Sequence, residues 1–200
     1  MLPRTMSMDD RPRCPWSSAS SPIPDPVMVA YHDEEWGTPV SGDLELFERL
    51  ALESFQAGLS WSTILRKRDA FRSAFRGFDP AVVAGFEDTD RERLIADAGI
   101  VRNRAKIDAT IANARRFLEV SAAFGSFDAY LRSLVVMPPT PLPRTATAGE
   151  IPATTAASDA LSADLRHRGF RFVGSTIVYA YMQSVGLVDD HLAGCFRYRG

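Results

Sequence analysis

The sequence predicts an all-α protein. Three observations carry that reading: apolar residues recur with helical rather than alternating spacing in nearly every segment, recognisable capping and stop residues bound the segments, and no run reads as a strand or a repeat. With 200 residues and 46% hydrophobic content, the chain can bury a core as one domain without disulfide staples.

Taken in order, the elements are these. Met1 to Arg13 mixes charges without the apolar run of a signal peptide, and no later stretch approaches the roughly 18 apolar residues of a membrane span. The expectation is a cytoplasmic protein with no membrane partner, residues 1–12 forming a disordered extension and 13–198 a single domain. In DLELFERLALESFQA, Leu46, Leu50, Glu53 and Ala57 fall on one helix face, capped by Asp43, which sets a carboxylate in or beside an apolar stripe. Asp79 caps a helix with Pro80 in its first turn, and TDRE at 89–92 reads as a capping box opening a helix that Gly99 closes. Ile107, Ile111, Ala114 and Leu118 mark a longer helix, followed by a short one over 126–135. MPPTPLP (137–143) is a loop, extended by an Ala/Thr-rich stretch to Thr155. Ser158 caps DALSADLRHR, Gly169 ends it, and a last helix runs from Ser175 to Ser184 before Gly186.

Net charge is −2, without the Lys/Arg surplus that usually marks a nucleic-acid protein. Positive charge is nevertheless concentrated in RKRDAFR (66–72), RNRAK (102–106) and RHRGFR (166–171), each equally readable as a solvated helix face. The two cysteines stand 181 positions apart in a chain without an export signal, which favours a metal over a disulfide. His191 and Cys195, at i and i+4, would share one face of a helical turn and can grip one ion, and Cys14 with His32 offers a second pair. Two thiolates and two neutral imidazoles neutralise Zn²⁺ and fill its tetrahedral shell, so such a site is structural and clips the chain ends together. Spacing alone leaves the alternative open: a free thiol at Cys14, a small buried hydrophobe at Cys195 and a turn residue at His32.

A longer pattern bears on that choice. RCPW (13–16), AYHDEEWG (30–37), LFERLALESFQAGLSWSTILRKR (46–68), GIVRNRAKIDATIANAR (99–115) and RGFRFVGSTIVYAYMQSVGLVDDHLAGC (168–195) together resemble the type I 3-methyladenine DNA glycosylases, bacterial enzymes of alkylation repair. The resemblance implies a helix-hairpin-helix glycosylase fold with a structural zinc on Cys14, His32, His191 and Cys195. It implies a monofunctional, monomeric enzyme without a nucleotide cofactor, which hydrolyses the N-glycosidic bond of 3-methyladenine in alkylated double-stranded DNA. Tyr31, Glu53 and Trp61 match the family's base pocket, with Trp16 and Trp36 as further aromatic walls. Gly58 and Leu59 match the surface near the gap left by the flipped base, and Gly169, Arg171 and Gly174 belong to a hairpin that holds a DNA phosphate. Glu53 and Asp189 are the candidate catalytic carboxylates. Asp189 stands where type I relatives usually carry Asn, and it reads equally as a cap of the turn beside the metal. Met28 and Arg132 depart from the family's aromatic pattern. Ser175 and Thr176 occupy the hairpin position where lyase-type relatives carry a nucleophilic lysine. A non-catalytic zinc-bound module and a glycosylase of altered lesion range are the rivals. Glu53 among stacking aromatics favours an enzyme over the former.

Overall fold

The computed structural model describes residues 10–17, 22–135 and 141–200. Among these the protein is all-α: α1 (Pro26–Glu34), α2 (Asp43–Gln56), α3 (Trp61–Arg66), α4 (Arg68–Ala74), α5 (Pro80–Ala84), α6 (Asp88–Ala96), α7 (Arg104–Phe124), α8 (Phe127–Leu134), α9 (Ala156–His167) and α10 (Ser175–Ser184). The one β-type pairing described is an isolated bridge between Pro141 and Asp189.

Helix α2 is the axis of the bundle. The sequence suggests a single apolar stripe, but every residue from Leu46 to Phe55 is buried, with Glu48, Arg49 and Glu53 among them. A helix covered on all sides needs partners for its charges. Arg49 donates to the Ser184 carbonyl and pairs with Glu45 and Glu35, while Glu48 receives Arg68 and Arg72. Helices α3, α7, α8 and α10 pack on α2, with α5 and α8 against α7 and α9 against α10. Between them lies a phenylalanine-rich core in which Phe47, Phe55, Phe71, Phe75, Phe78, Phe117 and Phe127 are fully buried.

The caps agree with the sequence in part. Asp79 accepts from the Ala81 and Val82 amides, and Ser126 and Asn103 cap α8 and α7. Asp43 is not a cap: Gly42 occupies that position, and the Asp43 carboxylate instead accepts from Ser121 Oγ and the Phe127 amide, tying α2 to α7 and α8. Helix α6 opens one residue before Thr89, with Asp90 rather than Glu92 reaching back, to the Glu87 amide, and it ends at Ala96 rather than Gly99. Acidic side chains at 87, 88 and 90 fill the first turn, where the helix dipole favours them. Helix α9 likewise starts earlier than expected. Thr155 caps it and Ser158 is the reciprocal member of the capping box, bonding back to the Thr155 amide at 2.8 Å. Residues 1–9 of the expected N-terminal extension and 137–140 of the expected loop lie outside the described residues. Pro12 accepts from the Phe196 amide at 2.9 Å, and the Arg11 guanidinium lies 4.1 Å from the centre of the Phe196 ring. The two ends of the described chain therefore meet.

Candidate active site and metal centre

Where the ends meet, Cys14, His32, His191 and Cys195 form a buried group whose ligand atoms all lie within 4.8 Å of one another. Cys195 Sγ is 3.3 Å from His32 Nε2 and 3.6 Å from His191 Nδ1, and Cys14 Sγ is 3.7 Å from His191 Nδ1. A sulfur–nitrogen edge of a tetrahedral site with metal bonds of ordinary length is about 3.5 Å, so the four residues fit a metal ion and can hold one. Their surroundings are built for the task. The outward nitrogen of each ring is held by an acceptor, His32 Nδ1 by Asp33 at 2.8 Å and His191 Nε2 by the Trp36 carbonyl at 3.2 Å, which fixes which nitrogen faces the cluster. Burial pushes the Asp33 carboxyl up, but hydrogen bonds from Arg13 and His32 outweigh it and hold the group below the usual carboxylate range. The Cys195 thiol is held low, first by its contact with Cys14 and then by both imidazoles, while the same contact and burial push Cys14 up.

His191 and Cys195 do not share a helical turn. They sit on an irregular turn after the Asp189 bridge, closed by the Cys195 amide on the Leu192 carbonyl at 2.7 Å. Gly37 makes room for it: its φ is 72°, and a Cβ there would lie 3.0 Å from His191 Nε2.

Directly beside this cluster is a cavity of about 310 Å³ lined by Trp16, Met28, Tyr31, Trp36, Glu53, Gln56, Trp61, Ile151, Ala180 and Gln183. The five residues expected of a base pocket are therefore together. The aromatic rings are shared between the two sites: Trp16 lies 5.3 Å from the His32 ring and 6.2 Å from Tyr31, Trp36 lies 4.7 Å from the His191 ring and 4.8 Å from Trp16, and Tyr31 lies 5.3 Å from Trp61. Local sequence makes this possible, since Trp16 follows Cys14 by two positions and Tyr31 immediately precedes His32.

Glu53 is 4% exposed, and no described residue hydrogen-bonds its carboxylate. Burial pushes its pKa up to about 8, against the pull of Arg49 one turn away. Burial and then Glu53 also push the Tyr31 phenol well above its usual value, so it stays protonated. The indole N–H groups of Trp16 and Trp61 are buried without a partner among the described residues. The cavity is thus an aromatic box with a carboxyl group and, among the described residues, two unpartnered indole donors in or around it.

Asp189 does not line the cavity. It is 3% exposed, and its carboxylate accepts from the His191 amide, which is the turn-capping alternative. Sequence reasoning missed its neighbour Asp190, which receives Tyr179 Oη at 2.5 Å and Gln183 Nε2 at 2.7 Å and so fixes a cavity-lining side chain. Arg132 is also away from the cavity, paired with Asp128 on α8.

Gly58 and Leu59 form the exposed turn between α2 and α3. Residues 168–174 connect α9 to α10 as a tight hairpin, with Gly169 at φ 90° and Gly174 at the α10 N-cap. Three buried side chains hold its carbonyls: Asn113 bonds both the amide and the carbonyl of Arg171, at 2.8 and 2.9 Å, Ser54 donates to Phe172 O, and Ser162 donates to Val173 O. The amides of Phe172, Val173 and Gly174 have no partner among the described residues. Of the basic clusters, the first is largely consumed internally by Glu35 and Glu48, whereas Arg102, Arg104, Arg166 and Arg171 are exposed.

Comparison with known proteins places this architecture. The methyladenine glycosylase family model matches residues 20–198. The chain is 48% identical over 188 residues to DNA-3-methyladenine glycosylase 1 of Escherichia coli K12, covering 94% of this chain and 97% of that one, and 40% identical over 183 residues to the DNA-3-methyladenine glycosylase of Haemophilus influenzae, covering 92% and 96%. Among solved structures, 3-methyladenine DNA glycosylase I (TAG) aligns with a TM-score of 0.87 at 45% identity, covering 94% of this chain and 100% of that one. The Staphylococcus aureus enzyme, determined to explain its 3-methyladenine recognition, aligns at 0.84 and 38%, covering 88% and 93%. On the strength of a match along nearly its whole length, the chain belongs to the methyladenine glycosylase family.

Proposed function

We infer that this protein is a DNA-3-methyladenine glycosylase that hydrolyses the N-glycosidic bond of 3-methyladenine in alkylated double-stranded DNA and leaves an abasic site. The observation that carries the reading is Glu53, a buried carboxyl group without a hydrogen-bond partner among the described residues, lining an aromatic cavity at the small end of the range of about 300–1,000 Å³ seen for ligand pockets. A base reaches such a cavity only after being flipped from the duplex. N3-methylation makes adenine cationic, so the rings of Trp16, Tyr31, Trp36 and Trp61 and the Glu53 carboxylate attract the lesion over neutral adenine. That charge also makes the base a good leaving group, and less acid catalysis is needed than in glycosidases that use two carboxylates. Glu53, largely protonated in the empty cavity near neutral pH, gives up its proton as the cationic base enters and becomes the charge that meets it, while Asp189 supports the turn.

The hairpin, whose amides before α10 have no partner among the described residues, suits a DNA phosphate, and exposed Arg171 adds charge there. Both lysines of the chain are tied to backbone carbonyls, Lys67 to those of Ala98 and Gly99 and Lys106 to those of Phe55 and Ala57, and Ser175 bonds Asp159. That supports a monofunctional enzyme without a Schiff-base step. The Cys₂His₂ set suits one structural zinc, because two thiolates cancel its charge and four ligands leave no position for water. A bound zinc supplies a fixed frame, and the chemistry stays with the cavity. The reading is of a monomer that needs no nucleotide cofactor, and of a cytoplasmic enzyme of one domain over 13–198 acting where its DNA is.

The test is to incubate purified protein with methylated DNA and identify the released bases by chromatography. Free 3-methyladenine with intact abasic strands is the expected result. Release of no base, or borohydride trapping of a covalent DNA adduct, overturns the reading.

A further inference from the structure

We propose that Gln183 is a specificity-determining residue whose amide is oriented by Asp190, so that it offers the cavity a fixed acceptor for the 6-amino group of a purine and rejects a 6-carbonyl. Asp190 is then a positioning residue that acts through Gln183. The proposal rests on the glycosylase reading above and deepens it.

Helix α10 gives the cavity wall two residues one turn apart, Ala180 and Gln183, and only the second carries a side-chain polar group. Gln183 is held at both ends. Its backbone carbonyl accepts the Gly37 amide at 2.9 Å, next to cavity-lining Trp36, and its Nε2 donates to Asp190 at 2.7 Å. Asp190 is 6% exposed and also receives Tyr179 Oη at 2.5 Å, from one turn earlier on α10. A carboxylate accepts and does not donate, so of the two ends of the amide it can hold only the nitrogen. Turning the amide over would set its oxygen against a buried carboxylate, with no donor between them. No described residue donates to Gln183 Oε1, which is the acceptor left for a ligand. The other amide of the wall, Gln56, is spent on the exposed turn, where its Nε2 donates to the Leu59 carbonyl at 3.1 Å.

Charge cannot make this distinction. Adenine and guanine methylated at N3 in DNA are both cations, so Glu53 and the aromatic rings attract both. At position 6 the two differ in kind, an amino donor in one and a carbonyl acceptor in the other. A fixed acceptor gains a hydrogen bond from the first. Against the second it leaves two desolvated oxygens facing each other, and a site built to bond a polar group discriminates strongly against a base that cannot return the bond.

The test uses methylated DNA, in which both lesions form, with enzyme in excess. Single-turnover release of 3-methyladenine and 3-methylguanine is compared for wild type, Gln183→Met, Asp190→Asn, Tyr179→Phe and the Gln183→Met/Asp190→Asn double variant. Affinities for free 3-methyladenine and free 3-methylhypoxanthine, whose substituents differ only at position 6, are followed in parallel by tryptophan fluorescence. Gln183→Met keeps the side chain's length without its acceptor and should narrow the preference for the 6-amino base roughly tenfold in both assays. Asp190→Asn should also narrow it, weakening the 6-amino base and favouring the 6-oxo base, because the Gln183 amide can then turn its N–H groups to the cavity. Tyr179→Phe loosens Asp190 and should act in the same direction by about twofold to threefold. The double variant should narrow the preference no further than Gln183→Met alone, because both changes remove one device. A merely structural role would weaken both bases alike and leave their ratio where it was. An unchanged ratio in Gln183→Met, or no preference in wild type, overturns the proposal. An unchanged ratio in Asp190→Asn of wild-type metal content and melting temperature overturns the positioning role. Should that variant lose its metal, an unchanged ratio in Tyr179→Phe decides against the role instead. These outcomes leave the glycosylase reading intact, whereas a wild-type protein that releases no 3-methyladenine overturns both.

Discussion

The molecule contains two hydrophobic clusters that are held together by different means. The larger, around Phe47, Phe75, Phe78 and Phe117, is almost purely hydrocarbon and is drawn from α2 through α10. The smaller joins Cys14, Tyr31, Trp36, Leu65 and Cys195, with Trp16 and Trp61 at its edge, and nearly all of these carry a heteroatom. Burial alone suffices for the first, where Phe117 stacks on Phe127 at 4.0 Å and any well-shaped apolar group would contribute. The second places nitrogen, sulfur and hydroxyl groups where the function needs them, at the expense of hydrocarbon packing, and on the reading proposed above a metal ion braces it instead. The region that does the chemistry is thus the one least able to hold itself together.

Removing the brace should have the largest effect. Cys195→Ala should abolish metal binding and lower stability by about 4 kcal/mol or more, the scale on which loss of a structural metal is felt. Metal analysis, calorimetry and circular dichroism together check this, and the expected pattern is retained helix content with lost affinity for free 3-methyladenine. A metal-free protein of unchanged melting temperature and base affinity would erase the distinction between the clusters. Phe117→Ala should cost about 3–5 kcal/mol by opening the larger core. Metal content of the folded fraction should nevertheless stay at one ion per chain, and loss of the ion at temperatures where the variant remains folded would show that the clusters are not separable.

Trp61 packs against both clusters and lines the cavity. Trp61→Ala should therefore reduce excision by the loss of about 1–3 kcal/mol of base stacking and also lower the melting temperature. An effect on melting without one on single-turnover excision would assign the residue to packing alone. The smallest and sharpest effect belongs to Glu53→Gln, which should lower excision roughly tenfold, or about 1.4 kcal/mol, without loss of fold. Its sign on stability is opposite. The folded chain holds the Glu53 proton up to about 8 whereas an ordinary glutamate releases it near 4.5, so wild type loses stability as pH rises across that window. The variant cannot ionise and should be the more stable above that window, the difference shrinking towards its lower edge. Denaturation at about pH 5 and about pH 9 checks the crossover. In wild type, kcat/KM should rise towards about pH 8 as the free enzyme's Glu53 ionises, and that rise should vanish in Glu53→Gln.

The sequence reveals these two regions unequally. Helical periodicity and caps such as Asp79 announce the larger one, because local rules govern it. The register errors at Asp43, Thr89 and Ser158 share one cause: several capping-type residues fall within a turn of each other, and tertiary partners choose among them. The metal ligands are legible only through the family pattern, since spacing does not bring Cys14 to Cys195. Asp190, Gln56 and Lys106 left no periodic signal, because each works by bonding to residues distant in sequence or to backbone. Ile151, in a stretch that reads only as loop, proves to line the cavity. What Lys106 did offer was its place beside Ile107, Ala109 and Ile111, a charge at the start of a buried run that must find acceptors.

The meeting of the chain ends has a consequence for biosynthesis. Cys14 contacts His191 across 177 positions and Cys195 contacts His32 across 163. A ribosome delivers Trp16, Tyr31 and Trp36 early, but the turn that braces them emerges only after α10. A chain halted between the two would carry its hairpin and most of its phenylalanine core yet lack a formed seat for a base. Formation of the base seat in this way waits until the turn at 189–195 has been made.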